Sequence, residues 1–229
     1  MRPVRKHCWD VTPEEAESIQ RELAESVEAS DRIREDVRLV AGLDVAYETG
    51  GDRVFAAVVV MDLESKETIE TAVEVGVVAF PYVPGLFSFR ELPPLCKALS
   101  KLETSPDLLI CDGQGLAHPR RFGLASHVGV LFDVPTIGCG KSCLLGTYEE
   151  PASDRGSRSS LRNGEDVVGA VLRTQMGVKP LFVSVGHRVS LDTACEWILQ
   201  LADRYRQPEP IRRVNQLANE ERARVLKSA

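Results

Sequence analysis

The chain has 229 residues, 43% of them hydrophobic, with 28 Lys and Arg against 34 Asp and Glu for a formal charge of −6. That much apolar material can build a sizeable core, and we expect a single domain across residues 1–229. The longest apolar runs, such as VFAAVVVM and VEVGVVAF, fall far short of the roughly 20 residues that span a bilayer, and the N-terminal MRPVRKHCWDVTPEEAE lacks the apolar centre of a secretory signal, which excludes a helical membrane protein and points to the cytoplasm.

Six cysteines, Cys8, Cys96, Cys111, Cys139, Cys143 and Cys195, form no C-x-x-C pair, and several sit in apolar segments. They read as reduced buried thiols, and four histidines offer little for a zinc site. Charge is unevenly spread: residues 1–111 hold 12 basic and 21 acidic side chains, net −9, and residues 112–229 hold 16 and 13, net +3. A polyanion, if one is bound, would meet the second half.

Thr12-Pro13-Glu14-Glu15 is a capping box with proline at the first helical position. Ile19, Leu23 and Val27 follow at helical spacing, predicting a helix of about 20 residues. Three β-type segments come next, at 37–47, 53–63 and 69–80, joined by the short turn-like links ETGGD and ESKET and so expected to be antiparallel neighbours. After PYVPG the pattern turns helical through FSFRELPPLCKALSKL, where Pro93-Pro94 predicts a kink or restart. Residues 107–111 read as an apolar strand, 122–132 as a helix and PTIGCG as a short strand, a β-α-β arrangement with parallel pairing. EEPASDRGSRSSLRNGED is expected to be a mobile polar loop. VVGAVLR and PLFVSVG are two further strands, SLDTACEWILQLADRYR is a helix capped by Ser190, and RQPEPIRRVNQLANEERARVL opens a last helix. The order is that of a mixed α/β sheet, three antiparallel strands followed by parallel strands, flanked by helices.

Three carboxylates stand out. Asp44 lies inside the first strand between apolar neighbours, where a charge is costly unless it is paired or bound to a metal. Glu91 lies on the helix after the third strand, and Asp112 ends the fourth. If strands one and four are parallel neighbours, Asp44 and Asp112 approach at one sheet edge and the helix can deliver Glu91 beside them. Such oxygen donors suit Mg²⁺ or Mn²⁺ and phosphodiester hydrolysis. On the pattern alone, a carboxylate bonded to nearby backbone at Asp44 and a solvated helix residue at Glu91 stand equally well.

GLDVAY, FPYVPGLFSFRE, LICDGQGLAHPRRFGLASHVGV, PTIGCGKS and FVSVGHRVSLDTA, followed by RQPEPIRRVNQ, together resemble the endonuclease V family of deoxyinosine-directed repair nucleases, in order from residue 38 to about 216. The resemblance implies a ribonuclease H-like fold. It also implies Mg²⁺-dependent hydrolysis, with Mn²⁺ as a substitute, of the second phosphodiester on the 3′ side of hypoxanthine, leaving 3′-hydroxyl and 5′-phosphate ends without excising the base. Deoxyuridine, abasic sites, mismatches and inosine in RNA are implied as weaker substrates, and damaged DNA as the partner of a monomeric enzyme.

Carried over by motif, Asp44, Glu91 and Asp112 are the acidic set that holds the metal. Lys141 in GCGKS stands near the scissile phosphate, and His118 in AHP is at the active site as a phosphate contact, a proton shuttle or a structural hydrogen-bonder. Asn215 in PEPIRRVN occupies a place where some relatives have histidine, and an amide cannot exchange a proton near neutral pH. PYVPG resembles the family's wedge: Pro81 and Pro84 stiffen a loop whose Tyr82 stacks in the gap left by an extruded base. Arg90 is expected to join the substrate contacts.

Gly85, Gly113, Gly115, Gly138 and Gly140 would let backbone approach a flipped base or phosphate, with ordinary turn chemistry the competing reading for at least two of them. Hypoxanthine carries a carbonyl where adenine has an amine, so backbone N–H groups are suitable donors to it. Arg120, Arg121, Arg188, Arg212 and Arg213 are candidate phosphate contacts. GCGKS ends like a nucleotide-binding loop, but the first glycine of that motif falls on Pro135, and the reading fails. Two rivals to the DNA repair reading remain: an endoribonuclease specific for inosine in RNA, and a non-catalytic inosine-binding module.

Overall fold

The structure, a computed structural model, describes residues 1–227. Eight strands form one mixed sheet in the order β3-β2-β1-β4-β5-β8-β7-β6. The expected opening hairpins are present: β1 (Leu39–Tyr47), β2 (Arg53–Asp62) and β3 (Thr68–Val77) pair antiparallel in sequence. β4 (Leu108–Cys111) lies parallel to β1, and β5 (Thr136–Gly140) parallel to β4. β6 (Arg158–Asn163), β7 (Asp166–Leu172) and β8 (Leu181–His187) complete the sheet antiparallel. Three antiparallel strands leading into parallel ones make the ribonuclease H-like mixed sheet that the sequence implied.

Alternation along the strands separates two apolar layers. Ala41, Leu43, Ala56 and Val58 face α2 (Phe87–Lys101) and α3 (Leu124–Phe132), meeting Leu92, Leu95, Leu99 and Val128. On the opposite face Val40, Ile110, Ile137 and Val183 pack with Ile198 of α4 (Leu191–Leu201) and Ile211 of α5 (Glu209–Lys227), while Phe55, Ala57 and Val59 meet Val214 and Ala218 of α5. The central strands, covered on both faces, read as continuous apolar runs for that reason. No helix of the described residues is long and apolar enough to cross a membrane.

Three local expectations are corrected. α1 (Pro13–Ala24) has the predicted capping box, but it spans 12 residues rather than about 20. The chain beyond it is drawn to the end of β8, where the Glu28 N–H meets His187 Nδ1 at 3.2 Å and the Arg188 N–H meets the Glu28 carbonyl at 2.6 Å. α2 runs as one helix through Pro93 and Pro94. Two prolines remove two helical donors, but Leu92, Leu95, Ala98 and Leu99 are fully buried on the sheet and outweigh that loss. The polar stretch at 149–166 contains strand β6, which pairs with β7 around a turn at Gly164 with φ +67°. It shows no hydrophobic alternation because only Leu161 of that edge strand is buried.

Candidate active site

The parallel pairing of β1 and β4 sets the site. Leu43 is the register partner of Cys111, and the Asp112 N–H continues the ladder onto the Leu43 carbonyl at 3.1 Å. Asp44 and Asp112 are therefore the next residues on two adjacent chains. Asp44 is only 8% exposed. Its Oδ1 accepts from the Val45 N–H at 2.8 Å and its Oδ2 from Asn215 Nδ2 of α5 at 2.8 Å. Glu91 arrives from α2 on the other face of the sheet, and its Oε1 accepts the Tyr47 hydroxyl at 3.0 Å. Lys141, just past the end of β5, forms an ion pair with Asp112 Oδ2.

Two of the three acids are shifted upward. Burial and then the Asp112 charge push the Asp44 carboxyl up to about 6, against the stabilising bonds from Asn215 and Val45. Burial likewise lifts Glu91 to about 7, with Asp44 and Asp112 adding to the rise and the Tyr47 bond opposing it. Burial, the largest single influence, would lower Lys141, yet the bond to Asp112 and the charges of Asp112 and Asp44 together outweigh it, and its ammonium is held above the ordinary value.

Two buried carboxyls held in the protonated direction beside a third carboxylate, with an ammonium drawn onto that third one, mark a place that attracts a cation. Asp44, Glu91 and Asp112 supply the hard oxygen donors that Mg²⁺ and Mn²⁺ take. Among the described residues no three His, Cys, Asp or Glu groups already stand at ligand spacing. Each carboxylate is bonded to its own partner instead: Asn215 for Asp44, Tyr47 for Glu91 and Lys141 for Asp112.

Beside this cluster a cavity of about 350 Å³ is lined by Glu91, Asp112 and Lys141 together with Gly85, Gly113, Gly140, Ser88, Gln114 and His118. Of the five glycines expected at substrate, Gly115 and Gly138 do not line it. A Cβ on Gly115 would collide with the Val185 carbonyl, and one on Gly138 would sit 2.6 Å from the Gly115 nitrogen, so backbone-to-backbone packing demands glycine at both. At Gly140 the close neighbour is the Gln114 side chain. Gly85 has φ +80°, a left-handed turn that favours glycine.

His118 is 4% exposed and both its ring nitrogens are engaged. Nε2 lies 2.9 Å from the Gly85 carbonyl, an obligate acceptor, and Nδ1 accepts the Arg120 N–H at 3.3 Å. Those partners assign a neutral Nε2–H ring, and burial, followed by the Arg120 charge, pushes its pKa down to about 4. Gly85 also accepts from Gln20 Nε2 at 3.1 Å and Arg120 Nη2 at 2.8 Å. Three side chains thus anchor the turn that follows the tyrosine loop.

That loop projects outward. Tyr82 is 67% exposed, in edge contact with Phe87, with Pro81 and Pro84 also exposed. Arg90 connects loop and site: Nη1 donates to the Phe80 carbonyl at 2.7 Å, and its guanidinium lies over the rings of both Tyr47 and Tyr82, at 5.5 and 5.8 Å.

The arginines divide. Arg120 and Arg121 flank the cavity, Arg120 paired with Glu17 and Arg121 with Asp166. Arg188, bound to Asp133, and Arg212 and Arg213, bound to Glu209, lie toward the opposite end of the sheet and do not join the site. Tyr47, Ser88 and Gln114 stand at the site although no expectation from the sequence places them there. Tyr47 had one available signal, an aromatic hydroxyl three residues beyond Asp44 on the same strand; the other two had none.

The family description Endonuclease V matches residues 21–216 of this chain. Endonuclease V of Trichormus variabilis is 45% identical over 96% of this chain and 99% of its own length. The crystal structure of the Streptomyces avermitilis endonuclease V superposes with a TM-score of 0.91 at 48% identity, covering 95% of this chain and 96% of that one. The Ciona intestinalis endonuclease V, solved in complex with a 24mer DNA containing an inosine followed by a ribo-adenosine, superposes with a TM-score of 0.82 at 26% identity, covering 93% of this chain and 98% of its own.

Proposed function

Because the chain belongs to the endonuclease V family, we propose that it is an Mg²⁺-dependent DNA repair endonuclease that recognises deoxyinosine and hydrolyses the second phosphodiester on its 3′ side, leaving 3′-hydroxyl and 5′-phosphate ends. The observation that carries this reading is the placement of Asp44 and Asp112 side by side on parallel strands, with Glu91 and Lys141 at the same cavity. The complex of the Ciona relative with inosine-containing DNA supports the choice of lesion.

Asp44, Asp112 and Glu91 would hold the divalent ion, which when bound activates water and stabilises the charge that develops on the phosphate and leaving oxygens. The protein does the rest. Asn215 orients Asp44 and Tyr47 orients Glu91 through the bonds described above. Lys141 places a point charge at the phosphate. The cavity is of a size typical of ligand pockets, about 300–1,000 Å³, and receives the extruded base while Tyr82 fills the gap it leaves. His118, with both nitrogens occupied, holds the Gly85 turn and does not exchange protons. The chain acts as a single-domain monomer in the cytoplasm.

A second reading, cleavage beside inosine in RNA, has one observation in its favour: the oligonucleotide bound by the Ciona relative carries a ribo-adenosine after the inosine. A binding module without catalysis is disfavoured by the intact acidic set. The deciding experiment is nicking of matched strands carrying one deoxyinosine or one inosine, with Mg²⁺ or with chelator, by the native chain and by Asp112→Ala. Incision beyond the lesion's 3′ neighbour, lost with chelator and in the variant, is expected. Equal cutting of a lesion-free duplex, or undiminished cutting by Asp112→Ala, overturns the reading.

A further inference from the structure

Ser88 lies on α2 one turn before Glu91, lines the cavity and is 2% exposed. Behind it runs a chain of hydrogen bonds to the N-terminal segment. His7 Nδ1 is 2.8 Å from the Cys8 carbonyl, His7 Nε2 is 2.7 Å from His127 Nε2, and His127 Nδ1 is 3.0 Å from Ser88 Oγ. The direction of every bond follows from its outer end. A carbonyl only accepts, so His7 Nδ1 carries the hydrogen and its Nε2 is bare. His127 must then donate from Nε2, its Nδ1 is bare, and the Ser88 hydroxyl must donate to it.

Burial keeps both rings neutral: it lowers the pKa of His7 and lowers that of His127 well below the ordinary value. The rings are further fixed by Trp9 and Phe89, with His7 at 4.1 Å from Trp9 and both histidines within 5.5 Å of Phe89. The Ser88 hydrogen is thus committed to His127, and its oxygen is left to act only as an acceptor.

We propose that Ser88 is a specificity-determining residue for the inosine-directed reaction proposed above, its locked oxygen accepting the ring N–H that deamination creates. Adenine presents a bare N1, an acceptor, whereas hypoxanthine presents N1–H. Cytosine and uracil differ in the same way at N3. A fixed acceptor pairs with the deaminated ring and sets lone pair against lone pair with the normal one, leaving a buried group unsatisfied. This reading is independent of any backbone N–H that meets the new carbonyl.

The test compares Mg²⁺-dependent nicking of duplexes carrying deoxyinosine or 1-deaza-2′-deoxyinosine, in which C–H replaces N1–H and the carbonyl form carries its ring hydrogen on N3. Wild type is expected to favour deoxyinosine about tenfold in kcat/KM, the worth of one buried hydrogen bond. Ser88→Ala, which removes one oxygen at a position where alanine is the better helix former, is expected to erase the preference by lowering only the deoxyinosine value. His7→Phe keeps Ser88 but frees its hydrogen, and is expected to shrink the preference while the analogue is cut as before. A wild type that cuts both duplexes equally, or a preference undiminished in Ser88→Ala, overturns the inference alone. If Ser88→Ala does not fold, an undiminished preference in His7→Phe does so. A wild type that cuts neither duplex overturns the proposed function and this inference with it.

Discussion

Asn215 Nδ2 donates to Asp44 Oδ2 at 2.8 Å, tying the last helix of the chain to a carboxylate in the middle of its first strand across 171 residues of sequence. Asn219 Nδ2 in turn donates to the Asn215 backbone carbonyl at 2.7 Å and reaches the side-chain Oδ1 of Asn215 at 3.4 Å. A carboxylate braced in this way keeps one oxygen orientation.

Removing the brace leaves the ligand but not its orientation. Asn215→Ala is expected to lower deoxyinosine nicking by about tenfold or more and to raise the Mg²⁺ concentration needed for half-maximal rate, the usual consequence of losing an outer-shell partner. Asn215→His, which keeps an N–H donor, should recover part of the loss. A magnesium titration of nicking that is identical for native and Asn215→Ala proteins refutes the role.

The acidic cluster weakens the metal-free fold. Asp44 has a folded-state pKa raised to about 6, so the folded protein binds the proton more tightly than the unfolded chain, and stability from this group is lost as pH rises through about 4 to 6. Asp44→Asn, uncharged and of the same shape, is expected to stabilise the metal-free protein by about 2 kcal/mol at pH 7, or a melting temperature about 5 °C higher. The gap should close near pH 4, and Mg²⁺ should stabilise only the native chain. Thermal melts across pH, with and without Mg²⁺, give the answer; an Asp44→Asn protein less stable at pH 7 contradicts it.

His118 works with the opposite sign. Its folded-state pKa is depressed to about 4, so the unfolded chain takes up the proton first and stability falls as pH drops from about 6.5 toward 4. The three other histidines are depressed by burial as well and add to the same loss. His118→Asn should flatten the decline in that window. Melting curves that run parallel for the two proteins count against a buried neutral ring.

Tyr82 should matter for binding and not for folding. It is 67% exposed, so Tyr82→Ala is expected to change stability by less than about 0.5 kcal/mol. Loss of one stacked base should weaken binding to a deoxyinosine duplex about tenfold or more. Unchanged affinity for the lesion duplex removes the wedge role.

Two glycines on either side of Gln114 should part company. Gly115→Ala drives a Cβ into the Val185 carbonyl of β8 and is expected to destabilise the fold by about 2 kcal/mol or more. At Gly113 the nearest atom to an added Cβ is Leu124 Cδ2 at 3.2 Å, the end of a side chain that can yield. Gly113→Ala should therefore melt near the native temperature while impairing nicking, since Gly113 lines the cavity. Equal melting temperatures for the two variants contradict this division.

The sequence by itself determined the architecture and the acidic set. Apolar runs bounded by turns gave the order of strands and helices, and the motif resemblance placed Asp44, Glu91 and Asp112 among them, because those features are local or tied to particular residues. It missed β6, an edge strand whose polar residues face water and so carry no alternation, and it extended α1 past the point where Glu28 is captured by the end of β8.

Partnership was decided only by the tertiary structure. That Asn215 meets Asp44, that Tyr47 meets Glu91 and that Lys141 closes on Asp112 depends on which strands lie side by side and which helix covers them. Gly115 and Gly138 looked like substrate clearance and proved to be tight contacts between loop and sheet, a distinction that a glycine in sequence cannot carry. His7, His127 and Ser88 are unremarkable in three separate segments. Burial brings them to hydrogen-bond distance, and one carbonyl at the end of the chain then fixes the hydrogen on every atom between the surface and the cavity.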